Sequence, residues 1–96
     1  MDNLNFKGKV VIEFYGNGCL NCQIMSPIIN NLEHMMPDVS FYRINADENP
    51  NLVHQYQITS IPSLLLFHDG KLLSKIIGVK SQLSLQMLID NTLNYA

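Results

Sequence analysis

Cys19 and Cys22 are the two cysteines of the chain, and they stand two residues apart in the stretch "FYGNGCLNCQ". Such a pair can be a redox couple, half of a metal site, or two small buried hydrophobes. A secreted chain stapled by disulfides would carry four or more cysteines, so a lone pair points to local chemistry. The residues ahead of Cys19 read as a strand and those after it as a helix, which places Cys19 at a helix N-terminus. Backbone N–H groups there lack intrahelical partners and the helix dipole is positive, so a thiolate is stabilised and the sulfur becomes nucleophilic near neutral pH. Cys22 falls one turn further on the same face, at a Cα separation of roughly 5–6 Å, within disulfide range. An exposed attacker with a sheltered resolving partner is what thiol–disulfide exchange requires. Two rival readings stay open. Free cysteine is often an ordinary core residue. His34, His54 and His68 have no close ligand spacing to the pair, so no closed zinc site is expected within one chain, which leaves a dimer sharing two such pairs around a metal.

The elements that must position the pair follow from periodicity and turn chemistry. Lys9–Tyr15 is a short apolar, β-branched and aromatic run, which predicts a strand buried on both faces. After the loop 16–18, Ile24, Ile28, Leu32 and Met35 with Met36 recur at three- and four-residue spacing and predict one helical stripe. Pro27 lies inside that stripe, so a kink is expected. Val39–Asn45 is the second strand. Asn49 before Pro50 starts a short helix that ends near Tyr56. Ser63–His68 and Lys71–Ile77 form a hairpin across an Asp69–Gly70 turn. Ser81 caps a last helix with an apolar face of Leu85, Leu88, Ile89 and Leu93. The order β-α-β-α-β-β-α predicts an α/β domain whose mixed sheet of about four strands carries helices on both faces.

Ninety-six residues make a single domain, 1–96. With 47% apolar and 15% charged residues the composition is that of an ordinary globular chain. A net charge of −2 with scattered Lys and Arg leaves no electrostatic footprint for nucleic acid. No run approaches the ~20 apolar residues that cross a bilayer. The opening "MDNLNFKGKVVIEF" does not read as a secretory signal, so a cytoplasmic location is the default expectation.

From Val10 onward the chain resembles a thioredoxin. The resemblance rests on "VIEFYGNGCLNC", on Pro27 in the following helix, on "FYRINADENPNLVHQYQI", on "SIPSLLLFHDGK", and on Gly78. It implies a thioredoxin fold, shortened at the N-terminus because the segment ahead of the first strand is too brief for the family's opening strand and helix. It implies a Cys19–Cys22 disulfide in the oxidised state, with Cys19 attacking and Cys22 resolving. Ile61–Pro62 corresponds to the family's cis-proline site, where the backbone at Ile61 pairs with an incoming peptide. Gly18, Leu20, Asn21 and Gly78 would complete the substrate surface. Glu13, which shares a strand face with Val11 and Tyr15, corresponds to the acid beneath the second cysteine and is a candidate proton relay. The bland alternative is a strand-edge acid that reaches solvent.

Several positions depart from the family. Leu20–Asn21 replaces Gly-Pro, Gly18 replaces the usual Trp and so frees the loop, Glu13 replaces Asp, and Arg43 stands where a lysine is frequent. The resemblance implies a protein-disulfide oxidoreductase with no cofactor and no metal. Its partners would be disulfide-containing proteins and an electron-donating reductase or thiol pool. It would be a monomer whose uncovered strand Val39–Asn45 is a candidate dimer contact. Two other functions are carried forward. A glutaredoxin-like enzyme would use glutathione, although "GVKSQ" does not match that family's Gly-Gly-x-x-Asp stretch. A binding or redox-sensing module would use the pair without turnover.

Overall fold

In a computed structural model, residues 7–94 are described. The element order is β1 (Lys9–Tyr15), α1 (Leu20–Met35), β2 (Val39–Asn45), α2 (Pro50–Gln55), β3 (Ser63–His68), β4 (Lys71–Ile77) and α3 (Gln82–Leu93). The expected N-terminal shortening concerns residues that lie outside the described ones.

The four strands form one sheet in the order β2-β1-β3-β4. β1 and β2 run parallel, which requires a crossover, and α1 supplies it. β3 pairs antiparallel with β1 and with β4. The β3–β4 hairpin closes over Asp69 and Gly70, both at positive φ as a type I′ turn demands. β1 lies between two neighbours and is buried along its middle, which accounts for its unbroken apolar run.

Alternation along the strands splits the core in two. Val11, Leu64, Leu66 and Ile76 face α1 and α3, where they meet Met25, Ile29, Leu32, Leu85, Ile89 and Leu93. Val10, Ile12, Phe14, Leu65 and Phe67 face the other way, toward Leu52 of α2 and Ile58. Tyr56 meets Phe67 edge-on across that second layer, with ring centroids 6.0 Å apart.

Two helix faces differ from expectation. α1 buries Cys22, Met25, Ile29 and Leu32, and Met36 at its end, rather than the row through Ile24 and Met35. Ile24 and Met35 are half-exposed, while Ile28 packs at the margin of the cluster. α1 carries two adjacent apolar rows, and the row that continues Cys22 is the one turned to the sheet. In α3, Leu85, Ile89 and Leu93 are buried but Leu88 is exposed, because the face is narrow and Leu88 lies beyond its edge. Ser81 caps α3, its side chain accepting from the Ser84 amide.

Candidate functional site

The site forms where the C-terminal end of β1 turns into α1. Gly16–Gly18 make the turn, Gly18 at a φ of +64°, and Cys19 follows as the N-cap of α1 in extended conformation. Cys19 and Cys22 are disulfide-bonded, with Cα atoms 5.2 Å apart. The two sulfurs differ in access: Cys19 is half-buried, whereas Cys22 is 4% exposed. The Cys22 amide donates to Cys19 Sγ at 3.1 Å. That bond occupies one of the orphan N–H groups of the helix start, and it would strengthen if the sulfur carried negative charge.

Leu20, Asn21 and Gly18 are exposed beside Cys19, and Leu20 at 74% is the most exposed large apolar residue described. The sheet register brings the remaining expected residues alongside. Phe14 pairs with Ser63, and Ser63 with Ile77, so the end of β1 lies next to the chain at Pro62 and near Gly78. The Ile61–Pro62 peptide is cis and Pro62 is buried. Gly78 donates its amide to the Pro62 carbonyl at 2.9 Å. Ile61 closes onto the redox turn: a Cβ built on Gly16 would lie 2.5 Å from Ile61 Cδ1, so a side chain there would have to push that terminal methyl aside.

Glu13 is fully buried and does not reach solvent. It shares the α1-facing side of β1 with Val11, one strand step nearer the cysteine end. Arg43, its partner across the β1–β2 pair, donates from Nε to Glu13 Oε1 at 2.8 Å. The same guanidinium lies 4.5 Å from the Tyr15 ring centroid, a cation–π contact that fixes its plane. Glu13 Oε2 has no hydrogen-bond partner among the described residues. Burial raises the Glu13 pKa above the usual carboxylate value, and the opposing pull of Arg43 does not cancel it.

Three residues near the redox turn escaped the sequence reading. Asn17 sits in the turn itself, Asn45 is the last residue of β2, and Asp47 lies just beyond it. Asp47 Oδ2 accepts from the Asn17 amide at 2.8 Å, and Asn45 Nδ2 donates to Asn17 Oδ1 at 3.1 Å. The only sequence signal was the density of Asn and Asp in "NADEN", which reads equally as the start of α2. Asp47 also lines a groove of about 610 Å³ whose walls include Pro50, Val53, His54 and Ile58, and which runs to Thr59 ahead of Ile61.

Comparison with known proteins agrees with this geometry. The Thioredoxin family model matches residues 2–91. Thioredoxin of Chlamydia pneumoniae is 35% identical over 89 residues, which is 93% of this chain and 87% of that protein. Chloroplastic thioredoxin M2 of Arabidopsis thaliana is 34% identical over 91 residues, 94% of this chain and 49% of that protein. Among solved structures, mitochondrial thioredoxin 3 of Saccharomyces cerevisiae in its oxidised form superimposes with a TM-score of 0.86 at 32% identity, covering 94% of this chain and 84% of that one.

Proposed function

This chain belongs to the thioredoxin family, and from that premise we propose how its two cysteines divide the work. The activity is that of a dithiol thiol–disulfide oxidoreductase acting on protein disulfides. In the reduced protein the Cys19 thiolate attacks one sulfur of a substrate disulfide. A Cys19–substrate bond forms, the substrate S–S bond breaks, and the departing sulfur takes up a proton. Cys22 then loses its proton and attacks Cys19 Sγ. The second substrate thiol is released, and the Cys19–Cys22 disulfide holds the oxidising equivalent. Two electrons have passed to the substrate, and a reductase or dithiol pool must return them.

The observation that carries this order is the asymmetry of the pair: Cys19 is accessible and receives the Cys22 amide, while Cys22 is sheltered behind it. Glu13, buried and with its pKa raised, is the proposed acceptor of the Cys22 proton. Ile61 and Pro62, with Gly78 tied to them, are the proposed backbone surface for the substrate segment, flanked by Gly18, Leu20 and Asn21. The cytoplasm, where thiols are kept reduced, is the proposed compartment.

The test is covalent trapping. Cys22→Ser incubated with a disulfide-containing protein accumulates a mixed disulfide at Cys19, identified by peptide mass, while Cys19→Ser accumulates none. An adduct on Cys22 in Cys19→Ser would reverse the assignment. Turnover of the wild type with a thioredoxin reductase supplying electrons, and not with glutathione alone, is the expected reductant dependence.

A further inference from the structure

The redox turn of this chain lacks a tryptophan; Gly18 precedes the first cysteine, and by itself that substitution would leave the turn loose. The turn is instead held by residues at and just beyond the end of β2. Asn17 is gripped twice, through its amide by Asp47 Oδ2 at 2.8 Å and through its Oδ1 by Asn45 Nδ2 at 3.1 Å. Asn45 is 9% exposed, and its Oδ1 accepts from the amides of Asp47 and Glu48, so it also fixes the backbone that carries the Asp47 carboxylate. Its carbonyl accepts from Asn49 Nδ2 at 2.8 Å, and the neighbouring Ala46 amide donates to Tyr15 at 2.7 Å. Gly16 adjoins both Asp47 and Ile61: a Cβ there would lie 2.5 Å from Ile61 Cδ1 and 3.2 Å from Asp47 Oδ2. The turn therefore meets Asp47 through hydrogen bonding and Ile61 through packing.

We propose that Asp47, steadied by Asn45, is a positioning residue for the disulfide exchange: by clasping Asn17 it holds Cys19, two residues on, with its sulfur on the Cys22 amide. The bond replaces, through the main chain, the stiffness that a bulky ring would give the turn. Asp47 touches neither sulfur and acts only through the geometry of the turn. The proposal rests on Cys19 being the attacking sulfur.

The test compares Asp47→Ala with Asp47→Asn in the reduced full-length chain, reading the rate of Cys19 alkylation by iodoacetamide across pH. Both variants remove the charge, but the Asn side chain retains an oxygen that can accept from the Asn17 amide. The difference between them therefore reports the hydrogen bond and not the carboxylate field. Asp47→Ala is expected to raise the Cys19 pKa and to slow alkylation near neutral pH by roughly threefold or more relative to Asp47→Asn, in proportion to lost thiolate. Superimposable pH profiles for the two variants would overturn the proposal. Asn45→Ala gives a second reading should Asp47→Ala fail to fold, since it removes the donor to Asn17 Oδ1 and the acceptor that fixes the Asp47 backbone. It should also slow alkylation, and an unchanged profile would count against the proposal. Peptide mapping of the alkylated product separates the two layers of inference: modification of Cys22 first would refute the nucleophile assignment, whatever the Asp47 comparison gives.

Discussion

Glu13 is a fully buried carboxylate on the strand that leads into the redox turn, and its proposed role as proton acceptor can be tested directly. Glu13 has one oxygen on Arg43 and the other without a hydrogen bond among the described residues, and burial outweighs the ion pair in setting its pKa. Two measurements follow from the direction of that shift. As pH falls through the raised value, Glu13 protonates and can no longer accept a proton, so reduction of a protein disulfide by the wild type should lose rate on that acid limb. Glu13→Gln should remove the part of the limb that belongs to Glu13, leaving that of the Cys19 thiolate, and lower the neutral-pH rate by about 10²-fold, the usual weight of a general base. An unchanged pH profile would remove Glu13 from the mechanism. Stability moves in the opposite sense. Because folding raises the pKa, the folded state binds the extra proton, and the resulting stabilisation is complete below the unfolded value near 4.5 and disappears as pH climbs through the folded one. The urea midpoint of Glu13→Gln should therefore rise relative to wild type between pH 5 and 8. A gap that narrows instead would mean that the pull of Arg43 prevails over burial.

At the scale of elements, α1 decides how the cysteines are presented, and its rotation was the part least legible from sequence. The strand bounds could be read because apolar runs end in turn residues such as Asp69–Gly70 and because Asn49–Pro50 and Ser81 mark helix starts. The phase of α1 could not, because Ile24 and Met25, and again Ile28 and Ile29, give two equally apolar rows one residue apart. What separates them is the sheet: Met25, Ile29 and Leu32 complete the layer over Val11 and Leu64, and Ile24 is left outside. Chemical denaturation discriminates the rows. Ile29→Ala and Leu32→Ala should each cost about 2–5 kcal/mol, as buried aliphatic truncations do. Ile24→Ala and Met35→Ala should stay within about 0.5 kcal/mol of wild type. Equal losses in both rows would refute the observed rotation, and with it the sheltering of Cys22.

For the whole molecule, the sheet order places β1 centrally and β2 at an edge among the described residues. A monomer is the proposed state. Hydrogen exchange should then find the β1 and β3 amides slow and about half of the β2 amides fast, those directed away from β1. Uniform protection along Val39–Asn45 would mean that another strand, such as that of a second copy, covers the edge. Scale also explains what the sequence withheld about the site. The cysteine pair and Ile61–Pro62 could be read because each is a local motif. The clasp of Asn17 by Asn45 and Asp47 spans about thirty positions of chain and exists only once β1 and β2 are aligned. The contact of Gly16 with Ile61 has the same origin, and it bears on which disulfides can be served. The redox turn and the chain at the cis-proline touch through the Ile61 side chain, so a partner that presses on either is felt by both. Docking would then be easiest for disulfides in segments that open locally, and hardest for those locked inside a rigid fold. Selection among clients would then follow how often each one loosens.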